Sequence, residues 1–233
     1  MSIGFCTLAI HAPYRARARR LIADAPGVAW VVATDVPSDF AGLPVHIVAH
    51  QPTGPMAIDY LQRLSPTGHN RGAAAYHDKR VAVRAALERF DTAIFLDADS
   101  RLNGVPELDP LPAGLSVIPV VTHSIDRHLM TAGAWRRPAF EALALTLLGR
   151  REALADARWC HETCYAVTRD GNETHFFETW ARAAALLQEQ GVHSWEGGVM
   201  GLAALAAGWT VDYTALAALS ACVQHEGGGP KDA

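Results

Sequence analysis

The stretch Thr92-Ala-Ile-Phe-Leu-Asp97-Ala98-Asp99-Ser100-Arg101 decides the fold predicted for this chain. An apolar run leads directly into two carboxylates, Asp97 and Asp99, which are separated by a single residue. A run of this kind predicts a strand buried on both faces, as in a parallel sheet covered by helices. Because a carboxylate is costly inside a buried strand, Asp97 and Asp99 should mark the point where the strand emerges. In an open α/β sheet that point is the carboxyl edge, where ligands bind.

The segments around this stretch alternate between strand and helix patterns. Strands are predicted at residues 3–10, 28–33, 45–49, 92–96 and 115–121, and helices at 14–24, 56–64 and 74–90. We place the arginines of the 14–24 helix on its outer face. The second half adds helices at 140–154, 172–190 and 195–207 and short strands at 163–168 and 209–213. This alternation predicts an α/β fold with a mostly parallel central sheet flanked by helices, in one domain over residues 1–233.

Composition excludes several classes of protein. A formal net charge of −4 argues against a broad electrostatic footprint for nucleic acid or anionic lipid. Four cysteines in 233 residues are too few for a disulfide scaffold, and we expect Cys160 and Cys164 to be buried thiols instead of zinc ligands. The N-terminus lacks the basic region of a signal peptide, and the Ala-rich stretch 197–223 is too weakly apolar to span a membrane. We therefore expect a soluble, cytoplasmic protein without a transmembrane segment.

The paired carboxylates indicate a metal site. Asp97 and Asp99 suit a hard divalent cation such as Mg²⁺ or Mn²⁺, which would bridge the protein to phosphate oxygens. The alternative is an Asp-rich turn at the end of a strand, because Asp and Ser favour turns.

The helix before the strand should carry further site residues. In a βαβ unit the helix starts at the carboxyl edge and the next strand returns to that edge. The helix from residue 77 to 90 is about 21 Å long and the strand from 92 to 97 about 20 Å, so the two lengths nearly cancel. Tyr76, His77 and Lys79 should then lie close to Asp97 and Asp99. Lys79 starts the apolar stripe of its helix. Its partner would be a phosphate or a carboxylate; the alternative is a lysine that extends to the surface.

Two further carboxylates follow predicted strands. Asp35 ends the second strand, where it could accept hydrogen bonds from a nucleotide; the alternative is a turn aspartate. Asp126, together with His123 and Ser124, follows the 115–121 strand and should also reach the carboxyl edge.

The helix with His77-Asp-Lys79-Arg, followed by a strand ending in Asp97-Ala-Asp99, resembles the nucleotide-sugar glycosyltransferases of GT-A fold with their Asp-x-Asp motif. The tail His225-Glu-Gly-Gly-Gly-Pro-Lys231 is similar to the His-x-x-Gly-x-x-Lys pattern of the glycogenin-like retaining members. That family usually continues with Pro-Trp, whereas this chain has Asp-Ala.

The resemblance implies a GT-A-like, Rossmann-type sandwich. Residues 1–121 would form the half that binds the nucleotide sugar, and residues 122–233 the acceptor half and C-terminal tail. It also implies that Asp97, Asp99 and His225 bind Mn²⁺ or Mg²⁺ and that Lys231 pairs with phosphate. Together with Asp35, His77, Lys79 and Asp97, Lys231 completes the residues expected to bind the nucleoside-diphosphate sugar.

The predicted reaction is transfer of a sugar from this donor to a hydroxyl of a carbohydrate or other acceptor. Glu196, after Trp195, is the candidate base of an inverting enzyme or the residue that orients the acceptor in a retaining one; the alternative is a helix-N-terminal Glu favoured by the helix dipole. Asp126 is a second, weaker catalytic candidate, and together with His123 and Ser124 it is a weaker candidate for contacts with the donor sugar or the acceptor. Two other functions stay open: a haloacid-dehalogenase-like phosphatase, whose nucleophile motif resembles Phe-Leu-Asp-Ala-Asp, and a non-catalytic protein that binds nucleotide sugar or carbohydrate.

Overall fold

The computed structural model describes residues 1–52, 76–192 and 195–226. The helix predicted at 56–64 and the predicted phosphate ligand Lys231 lie outside these ranges. The strands are β1 Ile3–Ala9, β2 Trp30–Thr34, β3 Val45–Ala49, β4 Thr92–Leu96, β5 Ser100–Leu102, β6 Gly114–Val117, β7 Cys164–Thr168 and β8 Val223–His225. The α-helices are α1 Ala12–Asp24, α2 Lys79–Leu87, α3 Ile125–Ala132, α4 Arg137–Leu148, α5 Ala153–Asp156, α6 Glu173–Glu189, α7 Glu196–Ala206 and α8 Ala217–Cys222.

Six of the strands form one sheet in the order β3-β2-β1-β4-β7-β6. The first four strands are parallel to one another, whereas β7 runs antiparallel to both of its neighbours, β4 and β6. The predicted α/β class, with a mostly parallel central sheet, is confirmed, and the arrangement is compatible with a Rossmann-like fold. The direction of strand order reverses between β1 and β4, so the carboxyl ends of these two strands border the crevice where such sheets bind ligands.

Alternate residues of the central strands divide the core into two layers. Cys6 and Leu8 of β1 belong to the layer that includes α2, α6 and α7, whereas Phe5 and Ala9 face the layer that includes α1 and α8. Every residue of β4 is buried, as expected for a strand with helices on both faces. The lack of alternating polar residues in 92–96 is explained by this burial, because neither face of the strand is exposed to solvent.

The second half of the chain departs from the predicted elements in several places, and the helices α3 and α8 were not predicted. The helix predicted at 140–154 is two helices, α4 and α5, because Gly149 adopts a left-handed conformation with φ 73° and ends the first. The strand predicted at 209–213 is reduced to an isolated bridge between Asp212 and Ser116. The short pair β5–β8 was not predicted; it forms a separate two-stranded sheet. Gly191 follows α6 with φ 74°, in agreement with its predicted place after the helix.

The four cysteines are free thiols, and Cys160 and Cys164 are buried, as predicted. Within the described ranges, no helix combines the length and apolar character that crossing a bilayer requires.

Candidate functional site

A buried lysine joins two carboxylates at the carboxyl edge of the sheet. Lys79 begins α2, and its Nζ lies 2.8 Å from Oδ1 of Asp97 and 2.8 Å from Oε1 of Glu196. The same Nζ donates a hydrogen bond of 3.2 Å to the carbonyl oxygen of Glu162. The prediction that α2 would deliver Lys79 to Asp97 is confirmed, and its partners here are carboxylates.

These contacts use the whole donor capacity of the lysine. An ammonium group has three hydrogens, and three protein oxygens, from Asp97, Glu196 and Glu162, lie within reach of them. Burial lowers the pKa of Lys79, but the attraction of Asp97 and Glu196 outweighs it and holds the pKa well above its ordinary value. Lys79 is therefore a permanent cation committed to the protein.

The same ion pairs set the charge of the two acids differently. Burial raises the pKa of Asp97 above its ordinary value despite the neighbouring lysine. Burial also opposes ionisation of Glu196, but Lys79 and His77 outweigh it, and the pKa of this carboxyl is lowered. Glu162 is the third acid in the group: desolvation and the charge of Glu196 raise its pKa to about 8. The site thus has a surplus of carboxyl groups over buried cations.

Asp99 and His225 come from segments far apart in sequence and meet through β5 and β8. In this ladder Ser100 pairs with His225, and the backbone N–H of Glu226 donates to the carbonyl of Asp99 at 3.0 Å. Nε2 of His225 lies 3.1 Å from Oδ1 of Asp99 and 4.0 Å from Oδ2 of Asp97. The hydrogen bond to Asp99 raises the pKa of His225, although burial opposes it.

Asp97, Asp99 and His225 could hold a metal ion. One ligand atom of each lies within 4.8 Å of the other two. Two carboxylate oxygens and one imidazole nitrogen form a donor set that fits a divalent cation, and the excess of carboxylates nearby would favour its charge. The residues therefore fit the predicted Mn²⁺ or Mg²⁺ ligands, whereas the donor set does not choose between these ions.

Two residues with unusual backbone conformations flank this edge. Among the described residues, His11 (φ 69°) and Trp195 (φ 75°) have positive φ without being glycine. Trp195 directly precedes Glu196 at the start of α7, and His11 lies between β1 and α1. Such conformations cost about 1–3 kcal/mol each and are concentrated at functional sites. Their position supports the assignment of this edge as the site.

The other predicted residues have protein partners. Asp35 accepts hydrogen bonds from Nη1 of Arg15 at 2.8 and 3.0 Å and from the backbone N–H of His11 at 3.2 Å. Asp126 forms an ion pair with Arg137, at 2.9 Å. In the described part of the chain, neither carboxylate has a hydrogen bond or ion pair to Asp97, Asp99 or Glu196.

His77 lies deeper than a ligand-binding residue usually does. The residue is 7% exposed, and its Nδ1 accepts a hydrogen bond of 3.2 Å from the indole N–H of Trp180 on α6. Burial lowers the pKa of His77 to about 4, so the ring is neutral at pH 7. His77 is near enough to Glu196 for the charge of that carboxylate to raise its pKa, although burial has the larger effect.

Sequence reasoning missed Arg17 and Glu162. Arg17 was placed on the outer face of its helix, but its side chain is only 18% exposed and its Nη1 lies 3.6 Å from Oδ2 of Asp99. The spacing of Arg17 from Leu21, which is fully buried, carries the signal that was overlooked, because residues four apart share a helix face. Glu162 contributes mainly its backbone carbonyl, for which the sequence offers no signal.

Comparison with known proteins adds no relative: neither the protein-family models nor the curated proteins searched match this chain. The function is therefore argued from the site.

Proposed function

We propose that the protein is a metal-dependent glycosyltransferase that moves a sugar from a nucleoside-diphosphate sugar to an acceptor hydroxyl. The observation that carries the proposal is the convergence of Asp97, Asp99 and His225 at the carboxyl end of β4. The three residues border the crevice between β1 and β4, which is where open α/β sheets bind nucleotides. The GT-A-like form of the fold and its division into donor and acceptor halves belong to this proposal.

The reaction requires stabilisation of a departing diphosphate. The bond between the anomeric carbon and the diphosphate oxygen breaks with its electron pair on that oxygen, the acceptor oxygen bonds to the carbon, and the acceptor proton is released. A divalent ion held by Asp97, Asp99 and His225 would supply positive charge to the leaving group. The protein's own contribution is to hold these three side chains in place, Asp97 and Asp99 in the turn between β4 and β5 and His225 at the end of β8.

Glu196 is suited to the acceptor side of this site. Its Oε1 is fixed by Lys79, and its lowered pKa keeps it ionised. An ionised carboxylate with a low pKa is a weak base but a good hydrogen-bond acceptor, so Glu196 would orient the acceptor hydroxyl. Lys79 pairs with both Glu196 and the proposed metal ligand Asp97, and it would thereby fix the distance between the acceptor side and the metal side of the site.

The proposal is tested by measuring binding of UDP, GDP, ADP and CDP by calorimetry, with Mn²⁺ and with EDTA. We expect at least one nucleotide to bind with Mn²⁺ and to lose binding in EDTA. The variants Asp97→Ala and Asp99→Ala should abolish the Mn²⁺-dependent binding, whereas the control Asp109→Ala, at an exposed aspartate, should leave it unchanged.

Turnover assays then separate the three candidate functions. Mn²⁺-dependent release of nucleoside diphosphate from a nucleotide sugar supports the transferase. Hydrolysis of p-nitrophenyl phosphate without such release would favour the phosphatase, and nucleotide-sugar binding without either reaction would favour a non-catalytic binding protein. Binding by the Asp97→Ala/Asp99→Ala double variant that equals the parent's would contradict the metal assignment.

A further inference from the structure

Arg17 is positioned at the mouth of the candidate metal site. It lies on α1 between Tyr14 and Leu21, on the face that turns towards the sheet. Its guanidinium carbon lies 5.6 Å from the centre of the Tyr14 ring, and its Nη1 is 3.6 Å from Oδ2 of Asp99. The aromatic ring and the partial burial of the side chain hold this cation beside one of the metal ligands.

The contact between Arg17 and Asp99 is weaker than the structural arginine pairs around it. Arg15 reaches both oxygens of Asp35 at 2.8 and 3.0 Å, and Arg101 donates to both oxygens of Asp24 at 2.6 and 2.8 Å. Arg17 reaches one oxygen of Asp99, at 3.6 Å, which is beyond hydrogen-bond distance. In the described part of the chain, Asp99 is its one ion-pair partner.

A divalent cation bound by Asp99 would neutralise the carboxylate that now pairs with Arg17. Arg17 would then be a guanidinium next to a divalent ion, with its hydrogen-bond donors uncommitted. An anion that contacts both the guanidinium and the metal ion would offset the repulsion between these two positive charges. The planar guanidinium matches the oxygens of a phosphate. Lys79 cannot supply such a contact without giving up Asp97, Glu196 or the carbonyl of Glu162.

We infer that Arg17 binds the diphosphate of the donor and exchanges Asp99 for a phosphate oxygen when the metal ion is bound. The inference rests on the proposed function, because it requires a diphosphate at this edge. It makes Arg17 a substrate-binding residue and leaves Lys79 as a positioning residue within the protein. The diphosphate would thereby be held from α1 as well as by the cation.

The test compares Arg17→Met and Arg17→Lys with the parent and with a control, Arg19→Met. Arg19 is an exposed residue of the same helix whose side chain donates to the backbone carbonyl of Asp39. Titrations use Mn²⁺ alone and then UDP, GDP, ADP and CDP at saturating Mn²⁺. Loss of one charge-assisted contact to phosphate should weaken nucleotide binding by Arg17→Met about 10- to 100-fold.

The titrations with Mn²⁺ alone and with nucleotide at saturating Mn²⁺ distinguish two roles of Arg17, binding of phosphate and support of Asp99. Affinity for Mn²⁺ alone should be unchanged or increased in Arg17→Met, because a positive charge next to Asp99 has been removed. Arg17→Lys, which keeps the charge but not the planar fork, should bind nucleotide with intermediate affinity, and Arg19→Met should match the parent.

Three results would overturn the inference. Nucleotide affinity of Arg17→Met equal to that of the parent would exclude Arg17 from the phosphate site while leaving the proposed function intact. Parallel loss of Mn²⁺ affinity would show that Arg17 supports the metal ligand instead. If the parent binds no nucleotide with Mn²⁺, the proposed function fails, and the inference about Arg17 fails with it.

Discussion

Removal of the buried ammonium group of Lys79 should destabilise the protein more than any surface charge change. In Lys79→Met, Asp97 and Glu196 lose the cation that lies 2.8 Å from each of them. The side chain of Glu196 is 4% exposed, so water cannot replace its lost partner, whereas that of Asp97 is 18% exposed and is the less costly of the two to leave unpaired. Methionine fills a similar volume, and the effect therefore reports the missing charge.

The expected loss follows from the burial of the pair. Breaking a buried ion pair by removing one partner costs about 3–5 kcal/mol, because the remaining charge is left uncompensated. With a urea m value of about 2–3 kcal/mol/M, this loss lowers the unfolding midpoint by about 1–2.5 M. The assay is equilibrium urea unfolding of parent and variant, followed by fluorescence and circular dichroism in EDTA.

Two further variants make this prediction specific. Arg150→Met removes a surface pair with Asp156 in which both side chains are about half exposed, and it should cost at most about 1 kcal/mol. Adding Glu196→Gln to Lys79→Met removes one of the stranded charges and should recover part of the loss. If Lys79→Met costs no more than Arg150→Met, the buried ion-pair network is not stabilising and the reasoning is refuted.

Three further outcomes follow from the described contacts. Burial lowers the pKa of His77 to about 4, so between pH 6.5 and pH 4 the unfolded chain binds a proton at this residue and the folded chain does not. The free energy of unfolding should therefore fall by about 3 kcal/mol as the pH drops through this range. In urea unfolding at several pH values, His77→Gln should flatten this part of the profile. A Cβ at Gly201 would meet the backbone carbonyl of Arg158, so Gly201→Ala should lower stability by about 1–3 kcal/mol in urea unfolding; a neutral result would contradict the close packing of α7. A chain ended after Glu226 keeps His225, so Mn²⁺ affinity should persist while nucleotide affinity falls if Lys231 binds phosphate; equal nucleotide affinity would exclude Lys231.

The central half of the site could be predicted because it is local. The apolar run before Asp97 specifies a buried strand, and the nearly equal lengths predicted for the helix and the strand placed Lys79 at the same edge, where the structure has it. These inferences need only the rise per residue of a strand and of a helix, and the return of the second strand of a βαβ unit to the edge where its helix starts. Glu196 was singled out by its place after Trp195, and the structure adds its ion pair with Lys79.

The remainder depends on contacts between distant segments. The strands β5 and β8, which pair with each other, have three residues each and are too short to show a periodic pattern in the sequence. His225 was therefore placed near Asp99 only through a family resemblance. The face of Arg17 was misjudged because an arginine is usually solvated, whereas its spacing from buried Leu21 points inward. Gly149 divides a predicted helix because glycine adopts a left-handed conformation at little cost.

The most direct measurement is a crystal structure of the protein with Mn²⁺, with anomalous scattering used to locate the ion. The account predicts one strong anomalous peak at bonding distance from carboxylate oxygens of Asp97 and Asp99 and from Nε2 of His225. A peak elsewhere would contradict it, and so would a structure at saturating Mn²⁺ in which Asp97 still pairs only with Lys79, and Asp99 only with His225 and Arg17.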